Sequence, residues 1–315
     1  MLDELQRTAA PGSVLVLDSG NALFANAGVA TDADKKRAAF VFQVMEDLGT
    51  RVMAVGQRDL SAGTEFLLGL AKGKKLKLLS ANLEKDGKLL FEPAAIVETG
   101  GVKVAFVGLT MPGPVVNGEP AVKATGTLDA VRKVLPTLGP RDLTVVVAAV
   151  SYADAMQLST DLAKEVDFVI QSGEFRGTVP PQRLNDGAAV LLASGQKGQS
   201  MARLELTLGK SKDAFIDLSA VERDRQQAGF VDEQLKALDE RLKLSKDKAA
   251  SDQIKSTIGE LKKRKGDLEA SLKKKVSPDA RKFNFAWTVL DSKIADEPKL
   301  KARVLEIDPA YSGSH

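Results

Sequence analysis

Oxygen-bearing polar side chains follow two short apolar runs near the start of the chain. Asp18 and Asn21 come after the first run, and Gln57, Arg58 and Asp59 come after the second. Carboxylate and amide oxygens are the ligands that hard divalent cations prefer, whereas an arginine attracts anions. These residues therefore predict either a small cation site or an anion site where two strands end.

Two residue types that many enzymes use are absent or nearly so. The chain of 315 residues has no Cys, and its single His is the last residue, His315. Thiolate nucleophiles, Cys-ligated zinc and covalently attached c-type haem are thereby excluded within these residues. A Ser nucleophile has no His to act as its base, so most hydrolase mechanisms lose their central residue.

The charge balance does not favour nucleic acid as a partner. The 45 Lys and Arg residues against 42 Asp and Glu residues give a net charge of +3, and the aromatic content of 5% offers no stacking platform. The basic excess lies in residues 219–282, which hold 17 basic and 12 acidic side chains. No stretch is long and apolar enough for a membrane span. We therefore expect no nucleic acid and no membrane span.

The elements that position these residues belong to a layered α/β domain. Short β-branched runs alternate with amphipathic stretches over residues 13–208, Thr31 is a predicted helix N-cap, and Gly100-Gly101 predicts an antiparallel hairpin. The predicted strands cover residues 13–18, 51–56, 77–81, 143–150, 167–170, 189–193 and 201–208. This pattern predicts two sheets packed face to face with helices outside.

A different pattern occupies residues 219–276. Apolar residues recur there at spacings of three and four, namely Ala228, Val231, Leu235, Leu238 and Leu242, then Ile254, Ile258, Leu261, Leu268 and Leu272. They predict an antiparallel helical hairpin or coiled coil. A strand-like segment follows at 283–290, and residues 300–307 form either a helix or an extended tail. We therefore divide the chain into an α/β domain at 1–217, a hairpin at 218–277 and a returning strand with a tail at 278–315.

Four blocks of the sequence resemble the metallophosphatase (calcineurin-like phosphoesterase) domain of the secreted 5'-nucleotidases. They are VLVLDSGNALF at 14–24, MEDLGTRVMAVGQRDLSAGTEF at 45–66, the stretch 79–112 with Ser80-Ala81-Asn82 and the hairpin GGVKVAFVGLT, and the stretch 145–208, which contains DFVIQSGEF at 167–175. The resemblance covers residues 2–209. It implies a four-layer α/β/β/α sandwich, to which the helical hairpin is inserted or appended.

The resemblance also implies a pair of divalent metals that activate water, and here the sequence departs from the family. Asn21 replaces the bridging Asp, Gln57-Arg58 replaces Asn-His, and Val150 or Ser151 aligns with a later His. Gly173 and Phe175 stand where the family has its last His pair, and the initial D-x-H strand is not present. We interpret these positions, together with Asp18 and Asp59, as a vestigial site, so we expect no catalytic residue, no metal and no cofactor.

We therefore predict that the chain is not an enzyme but an inactive member of the family acting as a scaffold or interaction module. Its partner would be a protein, or a second copy, bound through the hairpin at 219–276. The end of the chain, with Tyr311 and Ser314, resembles the run before the haem motifs of multihaem cytochromes, which suggests a fused or associated cytochrome. The family resemblance implies a periplasmic or secreted location.

One alternative stays open. A phosphoesterase or nucleotidase could use a rebuilt, weak divalent-metal site made from Asp18, Asn21 and Asp59. Asp18 most simply caps a turn, however, and Asp59 most simply starts the helix at Leu60, as an N-cap or as a first-turn acid. Gln171 and Glu174 are further candidate ligands.

Overall fold

The computed structural model describes residues 2–115, 119, 121–174, 177, 179–185, 187–193, 195, 198–273, 276–291 and 294–309. The helices are α1 (Leu2–Thr8), α2 (Asp32–Asp47), α3 (Thr64–Ala71), α4 (Thr127–Val134), α5 (Tyr152–Asp161), α6 (Leu218–Leu244), α7 (Lys248–Leu272) and α8 (Pro298–Ile307). The strands are β1 (Val16–Asp18), β2 (Thr50–Ala54), β3 (Lys77–Leu79), β4 (Leu83–Lys85), β5 (Lys88–Leu89), β6 (Ala94–Thr99), β7 (Val102–Thr110), β8 (Gly113–Pro114), β9 (Val122–Ala124), β10 (Leu143–Val150), β11 (Phe168–Gly173), β12 (Val190–Ala193), β13 (Ser200–Thr207), β14 (Ile216–Asp217) and β15 (Lys282–Val289).

Two sheets carry the candidate site. The first has the order β1-β2-β3, and all its pairs are parallel. The second has the order β12-β11-β10-β7-β6, and only β6 is antiparallel, because Gly100 and Gly101 turn the chain between β6 and β7. Both glycines have positive φ, as the predicted hairpin requires. Strands β2 and β3 contact β7, so the two sheets face each other.

Each sheet has its own helices on its outer side. One apolar cluster joins β7, β10 and β11 to α4 and α5. A second cluster joins β2 and β3 to α2 and α3, with Phe42 and Leu67 fully buried. All eight residues of β10 are buried, as expected for a central parallel strand with both faces covered. The predicted four-layer α/β/β/α architecture is confirmed.

Local signals for helix starts were also correct. Thr31 forms a capping box with Asp34 at the start of α2, in which each side chain accepts from the other residue's backbone N–H. Residues 298–307 form a helix rather than an extended tail. A four-stranded sheet of order β5-β4-β9-β8, built from very short strands, was not predicted.

The described contacts divide the chain into two compact units. The first comprises residues 1–202 and 287–315, and the second comprises residues 203–286. In the second unit α6 and α7 pack through the predicted seam, where Val231, Leu235 and Ile258 are buried and Leu238 and Leu261 pack against them. The predicted limits 1–217, 218–277 and 278–315 stay a prediction. No helix in the described ranges combines the length and apolar character needed to cross a membrane.

Candidate functional site

The predicted site residues lie in loops at the carboxyl ends of parallel strands. Strand β1 ends at Asp18, β2 leads into residues 55–61, β7 ends at Thr110, β10 ends at Val150 and β11 ends at Gly173. The hydroxyl of Ser172 donates to the carbonyl oxygen of Ser19 at 2.5 Å, which joins this edge of the second sheet to that of the first. Ligands of open α/β sheets bind at such edges. The loops from both sheets therefore form one cluster.

Asp59 is the anchor of this cluster. It lies in a 3-10 helix at Arg58–Leu60 and is fully buried. Its Oδ2 accepts the backbone N–H groups of Asn21 at 2.7 Å and Gly56 at 2.8 Å, and its Oδ1 accepts that of Leu23 at 3.0 Å. Gln57 rather than Asp59 is the N-cap of this 3-10 helix, and Asp59 is the acidic residue of its first turn, the other predicted position. Its carboxylate in addition ties the loop after β1 to the loop after β2. Burial raises its pKa, against the lowering effect of these N–H donors.

Asp18 makes the turn contact predicted for it. Its Oδ1 accepts the N–H of Gly20 at 2.7 Å. Burial raises the pKa of the Asp18 carboxyl to about 6, the hydrogen bond from Gly20 opposes this rise, and the negative charge of Asp59 adds to it. Neither carboxylate forms an ion pair with a basic residue in the described part of the chain.

Asn21 is held against the second loop by its own backbone geometry. It has a φ of 63°, a left-handed conformation that Asn tolerates better than most residues. Its Oδ1 accepts the N–H of Arg58 at 3.0 Å. A Cβ on Gly56 would lie 2.3 Å from the same oxygen, so this close approach requires glycine there. The amide oxygen of Asn21 is thus engaged inside the protein.

Gln57 and Arg58 bind backbone carbonyl groups of neighbouring loops. The Nε2 of Gln57 donates to the carbonyl of Met111 at 3.2 Å. The Nη1 of Arg58 donates to Ala25 O at 3.0 Å, and its Nη2 donates to Asn21 O at 3.1 Å. Arg58 is partly exposed and has no carboxylate partner among the described residues. Its positive charge is therefore positioned by neutral acceptors and is available to an anion.

The later predicted positions serve backbone structure. Ser151 is the N-cap of α5, where its Oγ accepts the N–H of Asp154 at 3.0 Å. Gly173 has a φ of 116°, and a Cβ there would lie 2.7 Å from Val150 O. Phe175 lies outside the described residues. Gln171 is fully buried and donates to the carbonyls of Val150 and Glu174, so it closes the ends of β10 and β11.

A buried polar network beside the cluster was missed by sequence reasoning. Asn82 accepts the N–H of Thr110 at 2.9 Å and donates to Thr110 O and Thr125 O at 2.8 Å. The hydroxyl of Thr110 donates to Val55 O at 2.7 Å and lies 2.8 Å from that of Ser80. All three polar side chains are fully buried. Their presence inside apolar strands was the available signal, because buried polar groups need hydrogen-bond partners.

The residues of the cluster do not fit a pair of divalent metal ions. Such ions need several carboxylate or imidazole ligands that converge from different loops. Three of the acceptor positions of Asp59 are occupied by backbone N–H groups, and Asn21 Oδ1 is occupied by the N–H of Arg58. The described residues hold no group of three or more His, Cys, Asp or Glu side chains that could bind a metal. The weak site proposed from Asp18, Asn21 and Asp59 therefore has few free acceptor positions, because most of those on Asp59 and one on Asn21 Oδ1 are already engaged.

Comparisons of the sequence point to one group of proteins. The chain is 36% identical over 110 residues to a 5'-nucleotidase of Vibrio parahaemolyticus, which is 34% of this chain and 19% of that protein. It is 35% identical over 101 residues to Protein UshA of Escherichia coli, which is 31% of this chain and 18% of that protein. The match thus spans about a fifth of the length of these relatives. No protein-family model matches the sequence.

Comparisons of the structure agree with this result. A 5'-nucleotidase precursor from Thermus thermophilus superposes with a TM-score of 0.57 at 22% identity, over 68% of this chain and 46% of that one. A calcineurin-like phosphoesterase, YfkN from Bacillus subtilis, gives a TM-score of 0.52 at 18% identity, over 64% of this chain and 73% of that one.

These findings overturn one prediction and establish the fold. The prediction that the chain is not an enzyme is wrong, because its relatives are named 5'-nucleotidases and point to an enzyme family. The absence of interior histidine, on which that prediction depended, concerns one ligand type and does not decide whether the chain has an activity. The chain has the fold of the 5'-nucleotidases and calcineurin-like phosphoesterases.

Proposed function

We propose that the chain binds the phosphate group of a phosphate ester at the strand-end cluster, with Arg58 as its anion-binding side chain. The observation that carries this proposal is the state of Arg58, a partly exposed cation whose described partners are only the carbonyls of Ala25 and Asn21. The names of the relatives support a nucleotide as the ester.

The chemistry of the guanidinium group suits this role. It has five N–H donors, of which two are used by the two carbonyls, and its planar fork matches the oxygens of a phosphate. The bonds to Ala25 and Asn21 orient the group before a ligand arrives, which lowers the entropy cost of binding. Asp59 does not compete strongly for it, because its carboxylate is buried and solvated by backbone N–H groups.

The test is titration of the full chain with inorganic phosphate and with adenosine 5'-monophosphate by calorimetry. We expect Arg58→Gln to weaken binding of both ligands by about tenfold or more, since charge-assisted hydrogen bonds are lost. Arg51→Gln removes the same charge at an exposed position of β2 and should leave binding unchanged. Equal affinities for the parent and Arg58→Gln would refute the proposal.

Hydrolysis of the bound ester is the second candidate function, and the raised pKa of Asp18 favours it. A carboxyl with a pKa of about 6 can exchange a proton near neutral pH, and perturbed carboxyls are typical of functional clusters. We propose that Asp18, which is only partly buried as a residue, accepts the proton of the attacking water. The rate should then rise with pH through about 6 as Asp18 ionises.

Turnover of adenosine 5'-monophosphate measured against pH tests this second function. Asp18→Asn should abolish the rise, whereas Asp86→Asn, at an exposed turn, should keep it. Turnover that is the same in the parent and in Asp18→Asn would exclude Asp18 from the reaction.

An interaction role of the hairpin, a cytochrome partner and a periplasmic or secreted location remain proposals. An interaction role for the hairpin is supported by the exposed apolar side chains of Phe230 and Leu244, which are 60% and 81% accessible. The residues that suggest a cytochrome partner, 310–315, lie outside the described residues. A periplasmic or secreted location is supported only by resemblance, and cell fractionation would test it.

A further inference from the structure

Lysines recur at regular spacing along both helices of the hairpin. Lys236 and Lys243 are seven residues apart in α6, Lys255 and Lys262 are seven apart in α7, and Lys273 follows eleven residues later at its C-cap. Seven or eleven residues bring a helix back to almost the same face. All five side chains are exposed. We call this set the lysine face.

The two rows lie on the same side of the hairpin. Each lysine directly follows an apolar seam residue: Leu235, Leu242, Ile254, Leu261 and Leu272 precede them in turn. One residue turns an α-helix by about 100°, so every lysine is rotated from the seam by the same angle in the same sense. Two antiparallel helices are related by a local two-fold axis perpendicular to their plane. Residues that are rotated from the seam by the same angle in the two helices therefore lie on the same side of the hairpin, so the five lysines share one face.

Acidic residues also lie on this face, and several of them pair with basic residues of the hairpin. Asp232 and Glu269 also follow seam residues, and both bind Lys265, at 2.6 Å and 3.6 Å. Asp239 follows seam residue Leu238, and Glu222 and Asp252 lie 14 and 21 residues before Lys236 and Lys273, so these three acidic residues share the face as well. Lys255 lies 3.6 Å from Asp252, whereas the other four lysines form no ion pair with any described residue. Arg225, which lies eleven residues before Lys236 and pairs with Glu222, is on the same face. With Arg225 and Lys265 the face has seven basic and five acidic residues, a net charge of +2, and most of its lysines have no acidic partner among the described residues.

The chemistry of the face selects the kind of partner. Among its described residues it presents five lysines and one arginine but no aromatic or large apolar side chain beyond the seam, and the exposed Phe230 directly precedes seam residue Val231, which places it on the opposite side. Protein interfaces have an apolar core and are depleted in lysine, and binding of single-stranded nucleic acid usually adds aromatic stacking. An extended row of lysines, on helices about 40 Å long, matches a flat layer of negative head groups.

We propose that the lysine face docks the protein on an anionic phospholipid surface. The attraction is the sum of several weak charge interactions, so it requires anionic lipid and weakens as salt shortens the screening length. The proposal is independent of the phosphate-ester site.

Co-sedimentation of the full chain with vesicles tests this proposal. Vesicles of phosphatidylcholine containing phosphatidylglycerol should bind the protein at low salt, and vesicles of phosphatidylcholine alone should not. The variant K236Q/K243Q/K255Q/K262Q should lower the partition coefficient by about tenfold or more. The variant K88Q/K103Q/K123Q/K133Q removes the same charge at exposed positions outside the hairpin and should bind like the parent. Far-UV circular dichroism verifies that both variants are folded.

Three results would overturn the proposal. They are no binding of the parent to the anionic vesicles, equal loss in the two variants, and binding that is insensitive to salt. Duplex DNA and polyglutamate are tested in parallel at equal charge concentration. Binding of the parent to either one through the lysine face, without binding to the vesicles, would assign the face to nucleic acid or to an acidic protein instead.

Discussion

Asp59 connects two loops that are distant in sequence, and its replacement should have a large effect. Asp59→Asn keeps the shape of the side chain but places an amide N–H₂ group against backbone N–H donors of Asn21, Leu23 or Gly56. We expect the free energy of unfolding to fall by about 2–4 kcal/mol, since buried donors lose their acceptor. Urea denaturation measures this change. Asp86→Asn, at an exposed turn, should change it by less than about 0.5 kcal/mol, and a similar small change for Asp59→Asn would contradict the role assigned to the carboxylate.

Asp18 should make stability depend on pH. Its pKa is raised from 3.8 to about 6 in the folded protein, so the folded state binds more protons than the unfolded state between these values. The contribution of Asp18 to stability is therefore full below pH 3.8 and is lost as pH rises through about 6. We expect Asp18→Asn, which keeps an acceptor for Gly20, to be more stable than the parent at neutral pH and to lose this advantage at acidic pH. Denaturation curves measured across this range would show a constant difference if the prediction is wrong.

For single residues, the sequence predicted contacts between sequence neighbours better than contacts between residues far apart in the chain. The hydrogen bond from the N–H of Gly20 to Asp18 spans two residues, and Asp side chains commonly accept such bonds in turns. The hydrogen bonds from Asn21 and Leu23 to Asp59 join residues 38 and 36 positions apart, and no local pattern encodes them. The carbonyl partners of Arg58 could not be predicted from the sequence either, because they depend on how two loops meet.

At Gly108, strand β7 lies so close to strand β3 that no side chain fits between the two strands. A Cβ on Gly108 would lie 2.3 Å from Leu79 O, whereas a Cβ on Gly69, in α3, would meet nothing within 4 Å. Gly108→Ala should therefore destabilise the protein by about 2 kcal/mol or more through displacement of the two strands. Gly69→Ala should stabilise it by about 0.5–1 kcal/mol, since alanine favours the helix. Thermal denaturation compares the two variants, and equal shifts would show that the sheets tolerate a wider separation.

Elements with a strong period were predicted, and very short ones were not. Strand β10, in which seven of the eight residues are apolar, and the seam of α6 and α7 have patterns long enough to be recognised. Strands β4, β5, β8 and β9 have two or three residues each, which is too short for an alternation to appear. They pair only because the segments of the same chain that flank them hold them next to each other.

For the molecule as a whole, the hairpin should be removable. Strands β14 and β15 pair in parallel, with Asp217 opposite Phe283, so the chain leaves for the hairpin and returns from it at neighbouring positions. Replacing residues 219–276 by a short Gly/Ser linker should leave a folded α/β unit, because its clusters contain no hairpin residue. Near-UV circular dichroism and a cooperative melting transition measure this outcome. A deletion variant without cooperative unfolding would show that the α/β unit depends on the hairpin.

The bond between Ser172 and Ser19 has a consequence for the order of folding. It joins residues 153 positions apart, and β10 must lie beside both β7 and β11 before the two ends of this span can meet. Contacts with such long sequence separation form late, since closing the intervening loop costs entropy that earlier contacts must first offset. During synthesis on the ribosome, the strand-end cluster therefore cannot assemble until β11 has emerged. A nascent chain that already contains Asp18, Arg58 and Asp59 consequently carries a candidate site in which only the contacts among these first loops can form.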